Sequence, residues 1–251
     1  MPSKSEPCAV LTAAGSGSRL GCECPKALVE LSGRPLVWWA ARGLRAGGVG
    51  AIVVTAPASS IEEFRSALTD IDRLTVVAGS DRSRQESVAL GLAALGERDA
   101  DAVVLVHDAA RPLTPPQVTE RVIDAVADGA GAVIPVLPVT DTLKTVDASG
   151  VVTGTPRRSD MVAVQTPQGF RWDVLMRAHE AGSAPGGGPA GPAVRGSPHR
   201  QGQLARLTTA GGGLVCAPAG LGGHRFSWGS APTPPVPAGL CWSRWLRWLS
   251  T

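Results

Sequence analysis

The chain has 251 residues, of which 43% are hydrophobic, and a formal charge of +3, which is enough apolar material for one sizeable α/β domain or two small ones. The basic excess does not argue for a nucleic-acid partner: six arginines and no acid follow Glu180, so the preceding chain carries 18 cationic against 21 acidic groups. Five cysteines without regular spacing exclude a disulfide framework. The absence of any run of about 18 apolar residues excludes a spanning helix, and a cytoplasmic protein is expected.

Residues 8–11 are mostly apolar and suit a first buried strand. The stretch that follows, Ala13-Ala14-Gly15-Ser16-Gly17-Ser18-Arg19, leads on to Cys24-Pro25-Lys26. Its small residues leave main-chain N–H groups close enough to bind phosphate oxygens. Arg19 can grip two oxygens in a fork, and Lys26 can follow a phosphorus centre as negative charge builds. Together they read as a triphosphate cradle. A plain strand-to-helix turn or a dinucleotide fingerprint is the alternative for Gly15-x-Gly17, but the third small residue of that fingerprint is missing and Pro25 blocks an immediate helix.

A short extended piece over 27–31 and a turn at 32–34 lead into a helix from Pro35 to Ala46, on which Trp38 and Trp39 are expected to pack rather than stack on a base. Residues 51–55 form a continuous apolar run, as in a strand covered on both faces, and Ser59-Ser60 precede a second helix with a capping pattern. A strand at 74–78, a helix at 83–95 and a strand at 102–106 continue the alternation. A helix at 115–127 and a strand at 132–137 follow. Strands alternating with helices predict a mostly parallel, Rossmann-like α/β sheet whose ligands lie beyond the carboxyl ends of the strands. That places Gly79-Ser80-Asp81, and His107-Asp108 with Arg111, beside the opening loop.

Residues 140–157 hold two β-prone runs around Asp147-Ala148-Ser149-Gly150, predicting a polar hairpin that protrudes as an arm. A strand at 161–164, the segment Gln165-Thr166-Pro167-Gln168-Gly169-Phe170 and a helix at 172–180 complete a domain spanning 7–182. Residues 183–251 then contain fourteen Gly, nine Pro and neither acid nor lysine, and support no element with assurance. Their composition suits an out-of-frame reading, a disordered tail or a diverged terminus. Three tryptophans spaced by three near the end are too weak an anchor for stable membrane association.

The cradle with Pro25-Lys26, Arg84-x-x-Ser87, His107-Asp108-Ala109-Ala110-Arg111-Pro112, Asp141-Thr142-Leu143-Lys144 and Thr166-Pro167-Gln168 stand in an order that resembles the 2-C-methyl-D-erythritol 4-phosphate cytidylyltransferase family. The resemblance covers about 7–182. It implies transfer of CMP from CTP to the polyol phosphate, in non-mevalonate isoprenoid precursor synthesis, with Mg²⁺ as cofactor. It assigns catalysis to Arg19 and Lys26. CTP contacts fall to Ala13, Ala14, Gly15, Gly17, Gly79, Ser80, Asp81 and Ser87; one extra residue before Arg84 leaves Ser80 and Asp81 open to a shift of one position. The acceptor falls to Asp108, Arg111, Thr142, Arg158 and Thr166, with Asp108 also near the metal or, alternatively, only capping its loop. Thr142 and Arg158 would act across a homodimer formed through the arm. The family's late Thr-Asp-Asp-type motif and late lysine have no counterpart after residue 183. Two other readings therefore stay open: the same chemistry on another polyol phosphate such as ribitol 5-phosphate, and a nucleotide-binding remnant without transferase activity.

Overall fold

A computed structural model describes residues 5–15, 24–183, 205–209 and 212–218. The strands are β1 (Cys8–Thr12), β2 (Glu30–Leu31), β3 (Arg34–Pro35), β4 (Ala51–Ala56), β5 (Leu74–Ala78), β6 (Val103–Asp108), β7 (Ala130–Pro138), β8 (Thr145–Val146), β9 (Val152–Gly154), β10 (Val162–Val164), β11 (Gln168–Arg171), β12 (Ala205–Thr209) and β13 (Gly212–Pro218). The helices are α1 (Leu36–Ala46), α2 (Ile61–Ala67), α3 (Arg84–Leu95), α4 (Pro116–Ala127) and α5 (Trp172–Ser183).

The main sheet runs β12-β13-β7-β11-β6-β1-β4-β5, with β10 also paired to β7. Its β6-β1-β4-β5 half is parallel. Alternation along β1 sorts its side chains: Ala9 and Leu11 join one core with α1, α2 and α4, while Cys8 and Val10 join a second core with α3 and α5. These strands are buried on both faces, which explains their continuous apolar runs. The thiol of Cys8, sealed in the second core, is pushed up to about 11 by burial and is inert. Trp38 is buried, and Trp39 donates its indole N–H to the Leu31 carbonyl at 2.8 Å, so both pack as expected.

Helix α3 sits unusually close to the sheet. A Cβ on Gly91 would stand 2.5 Å from Val10 Cγ1, so only glycine allows the approach that carries the first turn of α3 over the strand ends. Ser83 caps this helix, its Oγ accepting from Glu86 N at 3.1 Å. The cap expected of Ser59-Ser60 is absent: residues 58–60 form a short 3₁₀ turn, and Ser60 makes no side-chain cap bond.

Two elements depart from the sequence reading. Residues 168–171, read as part of a loop motif, form β11, inserted antiparallel between β6 and β7. Beyond residue 183, where composition supported no element, β12 and β13 pair with each other, and β13 runs antiparallel along β7 from Gly213 to Pro218. A ladder is made by main-chain groups, so the β-prone Leu214-Val215-Cys216 can form one in a segment poor in charge. Strand β13 thus covers that edge of β7. Among the described residues, strands β8 and β9 pair only with each other, and Val146, Val151 and Val152 are exposed beside them.

Candidate functional site

The parallel ladder continues past the strand ends and carries the site loops with it. Ala13 N donates to Thr55 O at 2.9 Å, Gly79 N to Ala56 O at 2.7 Å and Ala109 N to Thr12 O at 3.0 Å. The segments following β1, β5 and β6 are therefore held in register. An ideal Cβ on Gly79 would stand 2.7 Å from Ala14 Cβ and 3.2 Å from Ser87 Oγ, so Ala14, Gly79 and Ser87 meet as expected. The Ser87 hydroxyl is buried and inward-directed: it accepts from Ser80 N and donates to Ser80 O, both at 2.9 Å. Ser87 thereby shapes the Ser80 loop. Ser80 Oγ donates to Glu86 Oε2 at 2.7 Å, and Asp81 next to it is exposed.

A second cluster forms at the end of β6. Thr12 and Asp108 are partners in the β1–β6 register, and the Thr12 hydroxyl lies 3.1 Å from Asp108 Oδ1. Arg84, the first residue of α3, donates to the same oxygen from Nε at 2.9 Å and Nη2 at 2.7 Å. Arg111 Nε stands 3.7 Å from the other oxygen, Oδ2, while its Nη1 donates to Gln165 Oε1 at 2.5 Å. Burial alone would raise the Asp108 carboxyl, but the Arg84 guanidinium and its hydrogen bonds, with the Thr12 hydroxyl, hold it below the usual carboxylate range. Asp108 is ionised at neutral pH.

His107 and Thr166 brace this cluster from beneath. The imidazole is 1% exposed, and its Nδ1 is 2.7 Å from Thr166 Oγ1. Asp108 N donates to that same Oγ1 at 3.3 Å, so the Thr166 hydroxyl joins the His107 ring to the main chain of the Asp108 loop. Burial pushes His107 down to about 4, so it is neutral at physiological pH. Thr166 acts on the site through this bond and through the main chain of Asp108.

Lys26 begins a 3₁₀ turn at 26–28 and is half-buried, and the adjacent Ala27 joins the same core as Ala13. Gly15 is exposed, and a Cβ there would meet nothing within 4 Å among the described residues. Arg19 and Gly17 lie outside the described residues. Thr142 and Arg158 stand apart on the segment that carries β8 and β9; both are exposed, and Arg158 Nη1 donates to Thr140 O at 2.8 Å. Arg84, Thr12, His107 and Gln165 were not among the site residues expected from sequence. The available signal was parity: alternation in β1 and β6 turns Thr12 and Asp108 toward the α3 face, where a cation one residue past the cap must meet them.

The donor set does not by itself fit a metal. Asp108 accepts from Arg84 on one oxygen and faces Arg111 with the other, so a dication there would meet two guanidinium groups. Among the described residues no three His, Cys, Asp or Glu side chains are grouped to hold one. No described helix is long and apolar enough to cross a membrane.

The family model of 2-C-methyl-D-erythritol 4-phosphate cytidylyltransferase matches residues 7–193. The chain is 50% identical over 174 residues to the enzyme of that name from Rhodococcus jostii, covering 69% of this chain and 74% of that one. To the Streptomyces avermitilis enzyme it is 47% identical, covering 71% and 75%. Among solved structures, that of the Thermus thermophilus enzyme is 32% identical, with a TM-score of 0.55 over 69% of this chain and 75% of the other. The order of loops at the strand ends and these likenesses agree: the chain belongs to the 2-C-methyl-D-erythritol 4-phosphate cytidylyltransferase family.

Proposed function

We propose that this protein transfers CMP from CTP to 2-C-methyl-D-erythritol 4-phosphate, releasing pyrophosphate, as a step of isoprenoid precursor synthesis. The observation that carries the reading beyond family membership is the pairing of two adjoining subsites on one sheet edge. The closely packed Ala14-Gly79-Ser80 wall offers main-chain groups for a base edge, and the Asp108-Arg111 pair offers an acceptor for hydroxyls beside a cation for phosphate.

In this reaction the acceptor phosphate oxygen forms a bond to the α-phosphorus of CTP, and the bond to the β-phosphate oxygen breaks, its electron pair leaving with pyrophosphate. The attacking oxygen is already anionic, so no general base is required. His107 is suited to none, being buried, neutral and engaged at Nδ1. Catalysis reduces to alignment and charge neutralisation. Lys26 and Arg19 supply the positive charge at the α-phosphate, with Gly15 and Gly17 giving main-chain access. Ala13, Ala14, Gly79, Ser80, Asp81 and Ser87 hold the nucleotide. Arg111 binds the acceptor phosphate, Asp108 accepts from its hydroxyls, and Thr166 holds Asp108 in place. Mg²⁺ would enter with CTP as part of the substrate and would supply positive charge to the triphosphate.

A homodimer completes the site in this proposal: Thr142 and Arg158 of one subunit reach the acceptor held by the other. Its support is the exposed Val146, Val151 and Val152 on a ribbon that, among the described residues, pairs with no other strand. Pyrophosphate release with Mg–CTP tests the reaction. Turnover with methylerythritol phosphate and much less with ribitol 5-phosphate is expected; no release, or preference for ribitol 5-phosphate, refutes it.

A further inference from the structure

Asp108 and Arg111 have opposite charges, sit three residues apart and yet form only a long ion pair, Arg111 Nε standing 3.7 Å from Asp108 Oδ2, beyond hydrogen-bond distance. The reason is on α3. Arg84 takes Oδ1 with both Nε and Nη2, at 2.9 and 2.7 Å, and the Thr12 hydroxyl takes the same oxygen at 3.1 Å. Arg111 is meanwhile drawn the other way by Gln165 Oε1. The two side chains that should meet the acceptor are thus held apart by partners on two other elements.

We propose that Arg84 is a positioning residue whose task is to keep the Asp108 carboxylate from closing into a hydrogen-bonded pair with Arg111, leaving the N–H groups of the Arg111 guanidinium for the acceptor phosphate. This rests on the cytidylyl-transfer reading above. Without Arg84 the carboxylate loses two charge-assisted hydrogen bonds, and the nearest cation able to replace them is Arg111. A closed, hydrogen-bonded Asp108–Arg111 pair would then compete directly with phosphate. Arg84 is suited to the task because its first-turn position on α3 is fixed by the Ser83 cap and by the close contact of Gly91 with Val10. The same turn carries Glu86 and Ser87, which hold the Ser80 loop, so nucleotide and acceptor subsites share one rigid support.

Substitution of a second residue separates this role from a merely structural one. Arg84→Met should raise the acceptor KM about tenfold while the CTP KM stays within about twofold, the loss of one charged contact to the acceptor. Adding Asp108→Asn removes the competing carboxylate and should bring the acceptor KM of the double variant below that of Arg84→Met. A double variant no better than Arg84→Met overturns the proposal, as does an unchanged acceptor KM in the single variant. A crystal structure of Arg84→Met decides independently of turnover: Asp108 closed to hydrogen-bond distance of Arg111 is expected, and a carboxylate left in its original place overturns it. Wild-type protein without pyrophosphate release would instead refute the reaction, with the crystal structure still deciding the role of Arg84.

Discussion

Gly79→Ala adds one carbon where the site has no room for it. The new Cβ would stand 2.7 Å from Ala14 Cβ, 3.1 Å from Thr55 Cβ and 3.2 Å from Ser87 Oγ. Carbon pairs settle at about 3.5–4.0 Å, so the Ala14 contact alone demands a displacement of about 1 Å. Ala14 cannot swing aside, since its Cβ is bonded directly to the main chain. The ladder also resists, because Ala13 is bonded to Thr55 and Gly79 to Ala56. Two main-chain segments proposed to face cytosine must therefore part. Overpacking of this kind costs about 1–3 kcal/mol, and each kcal/mol lowers Tm by about 2–4 °C in a chain of this size. CTP affinity should fall by about tenfold as the base wall is displaced, equivalent to about 1.4 kcal/mol. Calorimetric titration of Mg–CTP beside a thermal melt measures both. Gly15→Ala is the control for stability, since a Cβ there meets nothing within 4 Å among the described residues, and its Tm should match wild type. A lowered Tm with CTP affinity within about twofold of wild type would show that Ala14 and Gly79 do not frame the base.

Lys26→Ala should lower kcat by about 10²–10³ while CTP binding changes far less, because its charge matters most at the five-coordinate phosphorus; a loss confined to KM refutes that role. Deleting residues 140–157 should give monomers with poor turnover by sedimentation and pyrophosphate assay, and a fully active monomer would remove the proposed composite site. His107 supplies a pH signature. Its folded value of about 4 lies below the unfolded 6.5, so the unfolded chain takes up the proton first: stability is complete above about 6.5, falls by about 3 kcal/mol toward pH 4 and levels below it. His107→Gln should flatten most of that slope in denaturant titrations at pH 4.5 and 7. His179, also lowered by burial, adds a smaller slope of the same sign, and a slope unchanged in His107→Gln refutes the assignment. Asp108 acts only at lower pH, where protonation through its depressed folded value removes the Arg84 contact.

The parallel half of the sheet was readable because strands buried on both faces leave continuous apolar runs, as in Ile52-Val53-Val54 and Val103-Val104-Leu105-Val106. Strand β11 was not, since Gln168-Gly169-Phe170-Arg171 is short, has polar ends and owes its burial to two neighbours that sequence does not name. The meeting of Ala14, Gly79 and Ser87, the proposed nucleotide wall, was legible as small residues near strand ends. Arg84 was visible only as the start of an Arg-x-x-Ser spacing. Its partner Asp108 lies 24 residues away, and the pairing depends on which face of β6 the carboxylate takes. His107 in the same motif gave no hint that it braces the loop rather than reacts, because that follows from the depth at which Thr166 meets it.

The antiparallel insertion of β11 has a consequence in time. Strands β6 and β7 do not touch; the edge of each waits for a strand that ends at Arg171. Between Asp108 and Arg171 a ribosome adds roughly sixty residues, about 3–12 s of synthesis at roughly 5–20 residues per second. For that interval β6 offers an open row of main-chain donors and acceptors, the arrangement that recruits foreign strands. Yield of this protein in a cell is therefore governed by the pace of elongation across residues 109–171 as much as by the stability of the finished sheet, and slower translation there lengthens the exposure.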